Sequence, residues 1–97
     1  MHVVSVKTLR EFWERHADSE AALRAWFREA KAATWKSFAD IKACHRSADH
    51  LPGDRVVFDI KGDHYRLVAR IHYNAGRIYI RFIGTHAEYD KINAGTI

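Results

Sequence analysis

The stretch from His64 to Ala87 contains no acidic residue and four arginines, Arg66, Arg70, Arg77 and Arg81. A guanidinium stays charged at any ordinary pH and grips phosphate through two parallel N–H bonds. His64, His72 and His86 share this window, and imidazole is the side chain that titrates nearest neutrality. Tyr89 follows His86 by three residues, the spacing that sets two side chains together in a single helical turn. A histidine there can move a proton, and a tyrosine hydroxyl can donate one or hold a phosphate oxygen. By itself His86-x-x-Tyr89 is a weak motif. Beside an arginine-rich surface it becomes a candidate phosphodiester site, with Lys61 on the Gly62 turn as a further phosphate contact or proton-transfer group.

These residues need a scaffold that turns them the same way. From Arg55 onward the apolar period is two: Val56, Phe58 and Ile60, then Tyr65, Leu67, Ala69, Ile71 and Tyr73, then Ile78, Ile80 and Phe82. Gly62-Asp63 and Asn74-Ala75-Gly76 mark the turns between them. That pattern predicts an antiparallel meander with one face on a core and the other open to water. Opposed residues share a face, so the apolar pattern sets Phe58 opposite Leu67 and Asp59 opposite Arg66. Matching Ala69 and Ile71 to Ile80 and Phe82 sets Arg70 opposite Arg81 and His72 opposite Tyr79. Arg66, Arg70, Arg81 and Tyr79 then lie on one open face, where the phenol ring can stack on an unpaired base. The competing reading is a solvated surface neutralised by Asp59, Glu88 or Asp90.

The first half of the chain has a helical period. Leu9, Phe12, Trp13 and His16 form one stripe, and Leu23, Trp26, Phe27 and Ala30 form another. Thr8-Leu9-Arg10-Glu11 reads as a capping box for the first helix, and Asp18 or Ser19 as the cap of the second. The short link implies an antiparallel helical hairpin. Ser37 to Asp40 suggests one more helical turn, and His45 to Asp54, with Pro52-Gly53, a surface loop. Trp13 and Trp26 read as core residues.

Composition bounds the functions available. The 97 residues are 47% hydrophobic and 29% charged, which fits a single domain over residues 1–97. No apolar run is long enough to span a membrane, and the start of the chain does not read as a signal peptide. One cysteine, Cys44, excludes an internal disulfide and points to a reducing cytoplasm. The net charge of +4 favours a polyanionic partner. Neither helix carries a run of base-reading side chains on its polar face, which argues against a DNA-binding factor. Cys44, His45, Asp49 and His50 offer metal-ligand types without a second zinc-type pair, so no metal and no cofactor is expected.

Three segments resemble a known family: Leu9-Arg10-Glu11-Phe12-Trp13-Glu14, Phe58 to Asp63 with Tyr65-Arg66-Leu67, and Ile80 to Lys91. They are similar to the HigB toxins of bacterial type II toxin–antitoxin modules, over nearly the whole chain and most specifically in the last segment. The resemblance implies an α+β, RelE-like fold: an N-terminal helical hairpin on a small antiparallel sheet, with a short C-terminal helical turn. It implies an endoribonuclease that cuts mRNA during translation and is restrained by a HigA-like helix-turn-helix antitoxin. Its reaction would be attack of a ribose 2′-OH on the adjoining phosphodiester. Arg70 and Arg81 would then carry the phosphorane charge, and His86 and Tyr89 the protons. Lys61, His64, Arg66 and Tyr79 would bind RNA. The chain departs from the family at Asp59 and Asp63, where Asn is usual, and at Ala17, where Pro is usual. A non-catalytic module binding single-stranded RNA on the same face is the alternative.

Overall fold

In a computed structural model that describes residues 1–97, helices cover one face of a five-stranded sheet. The elements are β1 (His2–Val4), α1 (Val6–Arg15), α2 (Glu20–Ala32), α3 (Phe38–Cys44), β2 (Asp49–Leu51), β3 (Arg55–Ile60), β4 (Tyr65–His72), β5 (Arg77–Thr85) and α4 (His86–Tyr89). A 3₁₀ turn, Ala17–Ser19, joins α1 to α2. The fold is α+β. The strand order is β1-β5-β4-β3-β2.

The meander β3-β4-β5 is the expected one, but the sheet is mixed. β1 joins as an edge strand parallel to β5, and β2 forms inside the segment read as a loop. The N-terminal amine is donated to the carbonyls of Ala30, Lys31 and Ala33, which ties β1 to the end of α2. Ala30 also accepts from the Ala33 N–H at 3.2 Å, and the cation meets the negative end of the helix dipole.

Two expected caps do not form. α1 starts at Val6 rather than after Thr8, with Ser5 at φ 74° as its N-cap, so the Thr8–Glu11 pair falls inside the helix. Ser19 precedes α2, but its hydroxyl donates to the His16 carbonyl instead of capping. The stripes themselves pack as their period requires. Leu9, Phe12, Leu23, Trp26 and Ala30 meet Phe58, Leu67, Ala69, Ile71, Ile78 and Ile80 in one core. Trp26 and Trp35 flank Phe58 at ring centroid distances of 5.3 and 6.2 Å. Trp13 is only half-buried, with the Arg24 guanidinium 4.6 Å from its ring centroid.

The register of β3 with β4 is the predicted one, with Phe58 opposite Leu67 and Asp59 opposite Arg66. The register of β4 with β5 is not. Arg70 faces Tyr79, Ile71 faces Ile78 and His72 faces Arg77. A bulge at Val68/Ala69 then leaves Arg81 without an opposed residue, because Ala69 pairs with Ile80 and Val68 with Phe82. Beyond the bulge the faces of β5 exchange: Phe82 turns away from the helices and Ile83 packs toward them. The physical cause is a second small core on the outer face. Val57, Val68 and Ala94 are buried there, with Phe82, Tyr89, Ile92 and Ile97 packed against them. Without an extra residue in β5, Phe82 would be drawn into the main core and this cluster would lose its largest ring.

Candidate phosphodiester site

β4 displays Arg66, Val68 and Arg70 on its outer face, two residues apart, because side chains alternate along a strand. The face is not one open patch. The segment after Tyr89 folds back over Val57 and Val68, and the Ile97 carbonyl accepts from Arg55 Nε at 2.6 Å. This small core separates two basic groups. About 13 Å of strand lies between the α-carbons of Arg66 and Arg70.

The first group is in direct contact. Arg66 Nε donates to His86 Nε2 at 3.2 Å. The same nitrogen stands 3.2 Å from Asp59 Oδ1, across the β3–β4 ladder. The guanidinium lies over the Tyr89 ring, 5.0 Å from its centroid, within cation–π range. Accepting from Arg66 requires a lone pair on Nε2, so the imidazole in this contact is neutral with its proton on Nδ1.

α4 places these side chains. Thr85 Oγ1 accepts from the Glu88 backbone N–H at 3.2 Å, and Glu88 Oε1 accepts from the Thr85 N–H at 2.8 Å. This reciprocal cap starts the turn one residue before His86. The Thr85 backbone bond holds the Glu88 carboxyl below its usual range, against a smaller upward push from burial. Gly84, opposite Arg66, leaves room for the cap: a Cβ there would stand 2.6 Å from Phe82 Cζ and 3.1 Å from Glu88 Oε1. Thr85-x-x-Glu88 was a legible capping signal that the reading of the tail passed over.

Arg70 and Tyr79 lie on the other side of the small core, and Arg81 is the unpaired residue of the bulge. Arg70 and Arg81 are exposed and make no hydrogen bond or ion pair, so both guanidinium forks are free. Tyr79 faces Arg70 and packs edge-on against His72 at 4.9 Å, leaving its ring half-exposed. The expected pairing of Arg70 with Arg81 is thus replaced by Arg70 with Tyr79 on β5, while Arg55 opposes Arg70 on β3.

Lys61 and His64 stand on the β3–β4 turn and make other contacts. Lys61 Nζ is 2.9 Å from Asp18 Oδ2, and His64 Nδ1 lies 2.9 Å from the Lys61 carbonyl oxygen. Asp18 also accepts from the Tyr65 hydroxyl at 2.6 Å. That phenol bond, and then Lys61, hold the Asp18 carboxyl below its ordinary value; the same bond pushes Tyr65 up. Sequence reading saw Asp18 only as a helix cap. No spacing rule links it to residues more than forty positions away.

Cys44, His45, Asp49 and His50 do not converge, and no cluster of three or more His, Cys, Asp or Glu side chains forms elsewhere. His45 instead packs against Trp35 and Phe58, with Glu29 at 3.2 Å. No helix is long and apolar enough to cross a membrane.

Of the three arginines expected on one face, Arg66 alone meets His86 and Tyr89 on the short capped turn. Residues 19–92 match the family model described as HigB toxin, RelE-like toxic component of a toxin–antitoxin system. The chain belongs to the HigB toxin family. Among relatives of this family, the mRNA interferase toxin HigB of Escherichia coli K12 is 28% identical over 96 residues, covering 97% of this chain and 92% of that protein. The mRNA interferase HigB of Shigella flexneri matches to the same extent. That of Escherichia coli O6:H1 is 24% identical over 94 residues, covering 95% of this chain and 91% of that protein. Membership in this HigB family makes the chain a toxin component with an antitoxin partner.

Proposed function

We propose that this toxin is an endoribonuclease that cuts mRNA on the translating ribosome, inhibits translation in the cytoplasm, and is held in check by a HigA-like helix-turn-helix antitoxin. The relatives' activity as mRNA interferases supports the reaction class. The observation that carries the mechanism is the contact of Arg66 with His86 and Tyr89.

Cleavage by a ribose 2′-OH needs a base for that hydroxyl, positive charge for the phosphorane, and an acid for the departing 5′ oxygen. Side chains of this chain supply all three. Arg66 leaves Asp59 and His86 for the scissile phosphate, a better bidentate acceptor. His86 Nε2 is then free to take the 2′-OH proton. The hydroxyl oxygen attacks phosphorus, the P–O5′ bond breaks, and Tyr89 gives its proton to the leaving oxygen. The products are a 2′,3′-cyclic phosphate and a 5′-hydroxyl. Arg81 neutralises phosphoryl charge, Arg70 holds a neighbouring phosphate beyond the small core, Tyr79 stacks on a base, and Lys61 and His64 contact the backbone of the strand.

The test is the chemistry of new ends on an mRNA under translation. Wild-type protein should produce 5′-hydroxyl and 2′,3′-cyclic phosphate ends, and His86→Ala should not. RNA retained on the protein without new ends would replace this reading by a non-catalytic RNA-binding module.

A further inference from the structure

The outer surfaces of α1 and α2 leave a groove between them. Val6 and Trp13 of α1 and Phe27 of α2 are half-buried; they pack on the main core and line a groove of about 710 Å³. Past Val6 and Phe27 it continues into a second hollow of about 460 Å³ that reaches Met1 and His2. About 10 Å of helix axis separates Val6 from Trp13, the length of two helical turns laid alongside.

The rim is cationic. Arg10, Arg24, Arg28 and Lys31 line the groove, and no carboxylate does. Arg24 Nε donates to Glu20 Oε2 at 2.7 Å, and its guanidinium lies over Trp13. The side chains of Arg10, Arg28 and Lys31 are exposed and make no hydrogen bond or ion pair. Arg24, Arg28 and Lys31 follow one another on α2 at i+4 and i+3, so their like charges repel along the helix. The hairpin gains nothing from that arrangement, and an anionic partner does. An apolar slot edged by charges of one sign complements an amphipathic segment with apolar side chains along one side and Asp or Glu beside them. RNA fits less well: the Trp13 ring packs on the core and has Arg24 over its face, the place a stacked base would take. The groove also lies on the helix side of the sheet, whereas Arg66 and Tyr89 lie on the other. The protein partner that family membership supplies is the antitoxin.

We propose that the groove between α1 and α2 is a docking site for an acidic amphipathic segment of the antitoxin, with apolar side chains on Val6, Trp13 and Phe27 and carboxylates on Arg10, Arg28 and Lys31. The inference rests on the antitoxin partnership and not on the cleavage chemistry, and two readouts keep them apart. Fluorescein-labelled full-length antitoxin of the same module is titrated with the toxin and followed by anisotropy, without RNA. The double variant Arg10→Glu/Arg28→Glu should weaken binding about 100-fold. Both positions are exposed, and a glutamate at 28 stands four residues from Arg24, so the helix is not weakened. Ala32→Tyr, at an exposed position on the groove wall, should fill the slot and weaken binding about tenfold. Both variants should keep the wild-type melting temperature and the wild-type rate of 5′-hydroxyl end formation on translated mRNA. A benzophenone side chain placed at Ala32 should crosslink to an antitoxin segment rich in Asp and Glu. Unchanged affinity in either variant, or a wild-type toxin that binds no antitoxin, overturns the docking site. Unchanged antitoxin affinity together with lost cleavage overturns it in favour of an RNA-binding face. Weakened antitoxin binding in a protein that never makes 5′-hydroxyl ends supports the docking site and overturns the nuclease instead.

Discussion

Arg66 Nε–H points at His86 Nε2 across 3.2 Å while Asp59 Oδ1 stands 3.2 Å from the same nitrogen. One guanidinium therefore holds the imidazole as a neutral acceptor and is itself held ready to change partners. His86→Ala should lower the rate of mRNA cleavage by about 10²–10⁴-fold. Arg66→Lys should lower it too, because an ammonium cannot fork bidentately onto a phosphate. Counting 5′-hydroxyl ends per unit time checks both variants.

Arg70 and Arg81 are exposed and make no hydrogen bond or ion pair. Arg81→Ala should slow cleavage by about 10²–10³-fold and Arg70→Ala by about tenfold, both leaving the melting temperature within a degree or two of wild type. Wild-type rates in both would remove these two residues from the mechanism. Thermal denaturation alongside the cleavage assay gives the required pair of numbers.

Gly84→Ala tests the placement of α4. The new methyl would meet the Phe82 ring and the Glu88 carboxylate, and Phe82 is already packed beneath the folded-back tail. The turn must move, and His86 with it, so cleavage should fall more than stability. Urea denaturation should shift by about 1–3 kcal/mol, while cleavage should drop at least tenfold.

Asp18 gives the stability a predictable acid limit. Its folded pKa lies below the ordinary value, first through the Tyr65 hydrogen bond and then through Lys61. The stabilisation is present above the ordinary aspartate range, about pH 4, and is lost as pH falls below it through the depressed value. Glu88 has the same sign, through its bond to the Thr85 backbone. Tyr65 has the opposite one: its pKa is raised, so its contribution is present below about pH 10 and fades above that. Asp18→Asn should flatten the acid limb of a plot of urea midpoint against pH.

The core face was legible because it depends on local periods. Leu23, Trp26 and Ala30 recur at helical spacing, and Val56, Phe58 and Ile60 alternate, so each element carries its own instruction about which side is dry. The β3–β4 register followed from the same rule. The β4–β5 register did not, because the rule assumes that only one face has a core. Val57 and Val68, apolar at outward positions, together with Ile92, Ala94 and Ile97, were the trace of a second one. Reading them required knowing that the tail returns to the sheet, which no local pattern specifies.

By itself the amino-acid order determined the residue types of the site, the strands and turns that carry them, and the family. Alternation and helical spacing act over a few residues and need no partner to be read. Only the tertiary structure decided that Arg66 rather than Arg70 or Arg81 meets His86, that the bulge turns Phe82 outward, and that Asp18 ties down Lys61. Those outcomes are competitions between distant segments for the same burial and the same charges. Their winner is set by how the whole chain packs.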